Sequence, residues 1–399
     1  MDVLSLRAAG FLAGAMFLLF IPSPRAAKMF LLAVINLAFL YLLHPAAPGV
    51  FLAVTIVAFL TANLAARGGS SWIFSLIAAA IASLLFLPKT GIFGTSGGDS
   101  TAGFAASFSK MPAFFAGSSY FILRALQFVF DARRERKVSL NFIEMIAWNG
   151  FFPTILAGPI ERSQHFAESL DTLGKPNAND ILDGIWRIYL GLLKKVVLSQ
   201  IAFNFAQPLL QFETGTEPSQ WQAWTSLYAF GLYFYFDFSG YSDLALGAGR
   251  FCGIRLAENF NNPYLKTNIS EFWRAWHISL TSWIRDYIFI PLCGRGTPAI
   301  RLHAASWTSM VVCGLWHGLT PGWIIWGLFH GFALSIHQLW TNFLRKRFRL
   351  KQKLAKSKLA RAASIFIMFQ FLAVAWVWTA YATTGVGTSI EYFKLLIGL

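Results

Sequence analysis

The chain has 399 residues, of which 56% are hydrophobic and 13% are charged, with a formal net charge of +15. This composition, with long apolar runs, indicates a polytopic membrane protein and excludes an array of soluble domains. The basic residues fall mostly between apolar runs, where membrane topology accounts for them, so nucleic-acid binding is not expected. The three cysteines have neither paired nor metal-type spacing, which predicts no disulfide framework and no metal site.

Eleven apolar runs are long enough to be candidate transmembrane helices. They begin near Val3, Lys28, Gly49, Ser71, Phe104, Leu140, Ile181, Trp221, Leu302, Gly322 and Ala362. The first is not followed by an Ala-x-Ala cleavage site, so we expect a retained helix. Some runs contain glycine or proline and are expected to be broken. We predict an all-α protein with about 10 or 11 membrane crossings.

Basic residues are concentrated in alternate connections between the runs. The positive-inside rule therefore places residues 131–137 and 345–361 in the cytoplasm and the amino terminus outside. Residues 345–361 contain nine basic residues and no acidic ones. We expect anionic lipid headgroups of the bilayer to be their partner.

Asn149 to Arg162 has at its centre Phe151–Pro159, which places two prolines and a glycine within apolar sequence. Proline ends or kinks helices, and broken backbone at membrane depth usually lines a cavity. The stretch therefore predicts a broken helix beside a cavity.

An aromatic run from Tyr233 to Gly249 contains two carboxylates, which at membrane depth require a partner or water. By helical spacing, Asp237 shares a face with Tyr241, and Ser239 shares another with Asp243. These residues either line the cavity and contact substrate or form interhelical hydrogen bonds that hold the bundle together.

Ser270 to Leu292 has the pattern of one amphipathic helix lying at the membrane interface. Its apolar face is formed by Trp273, Trp276, Leu280, Trp283 and Tyr287. His277 lies toward this face, which by itself is typical of a packed core histidine. We expect Arg285 and Asp286 to form an ion pair on this helix.

Gly314 to Gly331 places His317 and His330 among tryptophans and glycines. A buried imidazole can act as a general base near neutral pH, or it can be a packed residue bonded to a helix carbonyl. With no nucleophilic cysteine, metal cluster or phosphate loop in the sequence, the chemistry that fits is hydroxyl deprotonation during attack on an activated acyl group. A transporter that relays protons through histidine and aspartate is the rival interpretation.

These stretches resemble the membrane-bound O-acyltransferase family, specifically the bacterial branch that contains the alginate O-acetyltransferase membrane subunit. The resemblance extends from about Asn149 to Trp378. It rests on motifs at Phe152–Ile160, Asp237–Asp243, Glu258–Tyr264, Phe272–Leu280, Trp283–Tyr287 and Gly314–Gly318.

The resemblance implies a ring of transmembrane and re-entrant helices around a central funnel and tunnel, as one domain of residues 1–399. Residues 1–137 would be amino-terminal helices, 138–380 the catalytic core and 381–399 a carboxy-terminal segment. His317 matches the family's essential histidine and would be the general base, and His277 would polarise or shape the reaction centre. Substrate-binding or supporting roles are expected for Trp316, Asp237, Ser239, Tyr241, Asp243, Asn261, Trp273, Arg285, Asp286 and His330.

The resemblance further implies acetyl-coenzyme A as an acyl-CoA donor, without a permanently bound cofactor, in a bacterial inner membrane. The acceptor would be an exported polysaccharide or a periplasmic acetyltransferase partner. Contact of the basic segments with the coenzyme's phosphates is an alternative to a purely topological role. Alternatives for the function are D-alanyl or other acyl transfer from a phosphopantetheine carrier protein, and a non-enzymatic transporter. The chain ends soon after Ile397, so we expect an accessory carboxy-terminal region to be absent, which disfavours alginate itself.

Overall fold

The structure, a computed structural model, describes residues 6–86, 117–215, 217–294, 296, 298–347 and 357–399. These residues form helices, turns and loops, with no β-strand among them, which confirms the predicted all-α class. The candidate span near Phe104 and the middle of the basic segment 345–361 lie outside the described residues.

Four helical stretches of the described chain are long and apolar enough to cross a membrane. They are Arg25–Leu43, Ala47–Ala66, Ala178–Leu210 and Lys358–Ala380. Several apolar helices in one chain make this a multi-pass membrane protein. The count of ten or eleven crossings and the orientation of the termini stay predictions.

The described residues of the first compact unit come from Met1–Ser96, Met111–Lys195 and Phe238–Glu258. Its helices are α1 (Leu6–Phe20), α2 (Arg25–Leu43), α3 (Ala47–Ala66), α4 (Ser71–Ser83), α5 (Ser118–Glu135), α6 (Phe142–Asn149), α7 (Ser163–Glu168) and α8 (Ala178–Leu192). Helices α6 and α8 begin with capping boxes formed by Asn141 and Asn177, whose side chains accept the backbone N–H three residues later.

The predicted broken helix is confirmed between α6 and α7. Helix α6 ends at Asn149, and the chain runs through turns and irregular backbone, which include Pro153 and Pro159, until Ser163. Arg124 of α5, which is 0% exposed, donates hydrogen bonds to carbonyls of this segment. Its acceptors are the carbonyl oxygens of Trp148, Asn149, Thr154 and Pro159 and the Thr154 hydroxyl. The candidate span near Leu140 is therefore wrong, because an eight-residue helix is too short to cross the bilayer.

Glycines bring α8 close to the carboxy-terminal half of α10 (Gln220–Phe251), which also belongs to this unit. A Cβ on Gly191 would lie 2.8 Å from the carbonyl oxygen of Gly240, and one on Gly247 would lie 2.8 Å from that of Gly184. Small residues allow such close helix packing within a membrane. The contact places basic side chains of α8 and the following π-helical turn, Leu193–Leu198, beside α10.

The second unit takes its described residues from Val196–Asp237 and Asn259–Leu399. Besides the first half of α10, its helices are α9 (Ser199–Leu210), α11 (Ile269–Trp273), α12 (Ile278–Ile284), α13 (Ile290–Cys293), α14 (Ala299–His317), α15 (Pro321–Lys346), α16 (Lys358–Ala380) and α17 (Val386–Ile397).

The single amphipathic helix predicted for Ser270 to Leu292 is wrong. The chain forms α11, a turn, α12, a π-helical segment (Arg285–Phe289) and α13. The break lies at His277, whose φ of 43° is left-handed and incompatible with a continuous right-handed helix. Trp276 and Trp283 are nevertheless buried, as the periodicity predicted.

Helices α14 and α15 form a hairpin that approaches closely at glycines. A Cβ on Gly314 would lie 2.2 Å from the carbonyl oxygen of Trp323, and one on Gly327 would lie 2.6 Å from that of Met310. Any larger residue would push the helices apart. The hairpin thus brings the end of α14 against the start of α15, where the histidines lie.

Candidate functional site

His317 is the last residue of α14, and its ring contacts three tryptophans. It stacks on Trp323 with ring centroids 4.7 Å apart and an interplanar angle of 18°. Trp316 lies 4.7 Å away and Trp326 lies 5.7 Å away, both edge-on to the imidazole. We call His317 with these three tryptophans the tryptophan box. As a whole residue, His317 is partly exposed.

His277 lies at the start of α12 and is only 3% exposed. Its ring centroid is 6.0 Å from that of Trp316, and it is near enough to His317 for their charges to interact. The side chain of His277 does not cap α12. Asn259 does so instead, since its side-chain oxygen accepts from the backbone N–H and the hydroxyl of Ser279 at 3.2 and 2.8 Å.

His330 lies in the middle of α15 and is 2% exposed. Its ring centroid is 4.6 Å from Trp326, 5.2 Å from Trp273 and 5.5 Å from Phe371. Trp326 therefore contacts both His317 and His330, whereas Trp316 contacts both His317 and His277. The structure brings the three predicted histidines together through two tryptophans.

Partial exposure distinguishes His317 from the two enclosed histidines. A general base must come within hydrogen-bond distance of the proton that it removes, so accessibility is a requirement for that role. Within the described ranges, no group of three His, Cys, Asp or Glu side chains is placed to hold a metal ion.

The buried carboxylate of Asp243 belongs to the first unit and is held by two cations. Its oxygens lie 2.7 Å from Nη1 of Arg187 and 2.6 Å from Nζ of Lys194. Arg187 also pairs with Glu258. These contacts join α8 and the following turn to α10, as expected of a group that holds the bundle together, and substrate contact by Asp243 stays a prediction.

The other residues predicted on α10 have separate surroundings. Tyr241 is buried in the first unit and hydrogen-bonds to the backbone of Ala157 in the broken segment. Ser239 is also buried there. Asp237 belongs to the second unit, is partly exposed and interacts electrostatically with Tyr233.

The remaining predicted site residues lie in the second unit. Trp273 is buried and packs edge-on against Trp326, with ring centroids 5.8 Å apart. Arg285 and Asp286 form the predicted ion pair at 2.8 Å. Asn261 is exposed, and its backbone N–H donates to the carbonyl of Ala275.

Two structurally central residues were missed by sequence reasoning. Arg124 is a cation within the apolar stretch Tyr120–Phe130 of α5, a position that indicates a functional or structural role. Asn259 belongs to the same motif as Asn261, but nothing in the spacing indicates which asparagine is buried.

Residues 104–378 match the model of the membrane-bound O-acyltransferase family. The chain belongs to this family. The match covers the broken segment, all of α10 and the three histidines, which confirms the resemblance seen in the motifs.

Relatives within the family include acetyl and D-alanyl transferases. A peptidoglycan O-acetyltransferase of Helicobacter pylori is 34% identical over 262 residues, which cover 65% of this chain and 47% of that protein. A probable alginate O-acetylase of Pseudomonas aeruginosa is 34% identical over 223 residues, covering 56% and 42%. A teichoic acid D-alanyltransferase of Streptococcus thermophilus is 32% identical over 277 residues, covering 64% and 65%. The chain thus spans about half the length of the first two relatives.

Proposed function

We propose that this chain is an inner-membrane O-acetyltransferase that takes acetyl from cytoplasmic acetyl-coenzyme A. The acceptor is an exported polysaccharide or a periplasmic acetyltransferase partner, and His317 is the general base. The observation that carries the proposal is the partial exposure of His317 within the tryptophan box, beside two enclosed histidines. Similarity to acetyl transferases that act on peptidoglycan and alginate supports the choice of donor and acceptor class.

The reaction in this proposal needs one imidazole that accepts and returns a proton. His317 accepts the proton of an acceptor hydroxyl while its oxygen attacks the thioester carbonyl carbon. When the tetrahedral intermediate collapses, the carbon–sulfur bond breaks and the coenzyme thiolate takes the proton from the imidazolium. The products are the acetyl ester and the free coenzyme thiol.

The neighbouring groups would position this base. Stacking on Trp323 fixes the plane of the imidazole, and the edge-on rings restrict its rotation. His277 would bias the charge and orientation of His317 from its buried place behind Trp316. A small displacement of the base is costly, since about 1 Å of misplacement can lower a rate about 10²-fold.

Coenzyme A release tests the proposal in purified protein reconstituted into nanodiscs with acetyl-coenzyme A and candidate glycan acceptors. The wild type should release thiol only when the acceptor is present, and His317→Ala should lose this release while its unfolding temperature stays unchanged. A suitable control is His303→Gln, because His303 lies on the same helix but contacts Ser335 outside the box. Equal release by wild type and His317→Ala would contradict the proposal.

D-alanyl transfer from a phosphopantetheine carrier protein is the second candidate function. Its support is the similarity to the teichoic acid D-alanyltransferase, which extends over 65% of that relative. The same assay distinguishes the two donors when a loaded carrier protein replaces acetyl-coenzyme A. Turnover with the carrier alone would favour this candidate.

A further inference from the structure

A basic cleft of about 420 Å³ opens within the second unit. Three cations line it, namely Lys266, Arg274 and Arg361. Glu271 is the one acidic side chain among the described residues that line it, so three positive charges and one negative charge give a formal charge of +2. The cleft therefore suits an anionic ligand.

The carboxylate in the cleft is already engaged by its neighbours. Thr267 donates to Glu271 through its hydroxyl at 2.9 Å and through its backbone N–H at 3.3 Å. Burial raises the pKa of Glu271, but hydrogen bonds from Thr267 and Asn268 and the charge of Arg274 together hold it below its usual value. Among the described residues, no carboxylate lies within 4.0 Å of the charged nitrogens of the three cations. Their charges are therefore not neutralised by close ion pairs.

Helix α16 carries both a residue of the cleft and a residue that contacts the histidines. Arg361 and Phe371 are ten residues apart on this helix, or about 15 Å at the α-helical rise. The Phe371 ring lies against His330, and Trp326 connects His330 to His317. A ligand that follows α16 from Arg361 to the level of Phe371 would extend by about this length.

A phosphopantetheine thioester has the required shape and charge. Its extended pantetheine chain is about as long as four extended amino-acid residues, which span about 14 Å. The geometry points to the basic cleft as the binding site for the phosphate groups of a phosphopantetheine thioester donor, with its acyl sulfur at the tryptophan box. This inference rests on the proposed function for the donor class. Guanidinium groups are well suited to phosphate because they donate paired hydrogen bonds.

A short segment of chain also links the cleft to His277. Ala275 lines the cleft and lies two residues before His277. Its carbonyl accepts the backbone N–H of Asn261, which lines the same cleft. Phosphate binding on this loop would thus order the turn that positions His277.

A donor that lacks phosphates separates this site from general effects of charge. Arg274→Gln and Arg361→Gln should each raise the KM for acetyl-coenzyme A about tenfold, with kcat unchanged, because each removes a phosphate contact. The KM for acetyl-pantetheine, which lacks the phosphates, should not change. Lys358→Gln is the matched control, since it removes an exposed cation of α16 that does not line the cleft. Equal changes for both donors, no change, or an equal effect of Lys358→Gln would overturn the assignment.

Binding to an inactive variant makes the test independent of turnover. Coenzyme A, and separately 4′-phosphopantetheine, would be titrated calorimetrically into His317→Gln in zwitterionic nanodiscs and in nanodiscs with phosphatidylglycerol. Binding that weakens about tenfold in Arg274→Gln supports the site, and a preference for coenzyme A over phosphopantetheine identifies the coenzyme rather than a carrier as donor. Absent binding would overturn the assignment. Binding that phosphatidylglycerol abolishes would overturn it in favour of a lipid headgroup site. Intact binding together with no acyl transfer by the wild type would instead refute the proposed function alone.

Discussion

Replacing Gly318 by alanine displaces the aromatic surface on which His317 stacks. A Cβ at this position would lie 2.5 Å from Cδ1 and 2.7 Å from Nε1 of Trp323, whereas ordinary contact begins at 3.4 Å. The Trp323 ring must therefore move by about 0.9 Å, the difference between 3.4 and 2.5 Å. The backbone of Gly318 is extended, with φ of −172°, so alanine itself introduces no backbone strain.

The expected result is a fall in kcat of about 10- to 10²-fold, because a displacement near 1 Å at a catalytic base costs up to about 10²-fold. The assay is acceptor-dependent thiol release in nanodiscs, together with thermal unfolding to show that the variant folds. Gly387→Ala is the control, since a Cβ there meets nothing within 4 Å. A wild-type kcat in Gly318→Ala would refute the idea that stacking on Trp323 positions the base.

Three further changes test the structure around the site. Asn259→Ala leaves two donors at the start of α12, the backbone N–H and hydroxyl of Ser279, without their acceptor, so the free energy of unfolding should fall by about 2–3 kcal/mol. The unfolding temperature and kcat should both be lower, and unchanged values would show that Asn259 does not hold this turn. Asp243→Asn should lower the free energy of unfolding by about 2 kcal/mol, which is less than the loss of a fully buried ion pair because its cationic partners are partly exposed. Unaltered folding and acyl transfer would exclude both the structural role and the cavity role of Asp243. The hydrogen bond and charge of Glu161 raise the pKa of His165, so this pair stabilises the protein below about pH 6.5 and the contribution is lost as pH rises through the raised pKa. The unfolding temperature of the wild type should thus fall between about pH 6 and about pH 9 by more than that of His165→Gln, and parallel profiles would contradict this.

The local sequence pattern was sufficient to indicate that His317 and His330 lie close together. His317 and His330 lie among glycines and tryptophans that are close in sequence, so their spacing on α14 and α15 already implies proximity. The proline-rich break after Asn149 was equally predictable, because proline acts on its own neighbourhood.

Contacts distant in sequence account for what the sequence did not reveal. The left-handed backbone of His277 interrupts a perfect amphipathic pattern, and the turn is held by Asn259, which lies 18 residues earlier. Likewise, Asp243 obtains its cationic partners from α8 and the turn after it, which no periodicity on α10 indicates. Arg124 contacts carbonyls more than 20 residues away, so its role depends on the fold of the broken segment.

The claim that His317 alone acts as the base is tested most directly by replacing each of the three imidazoles with glutamine. Single-turnover acetyl transfer at saturating acetyl-coenzyme A would be measured for the His317, His277 and His330 variants. His317→Gln should lose about 10²- to 10⁴-fold in rate, the usual contribution of a general base, while the two buried variants keep measurable transfer. Transfer that survives in His317→Gln but disappears in His277→Gln or His330→Gln would contradict the account.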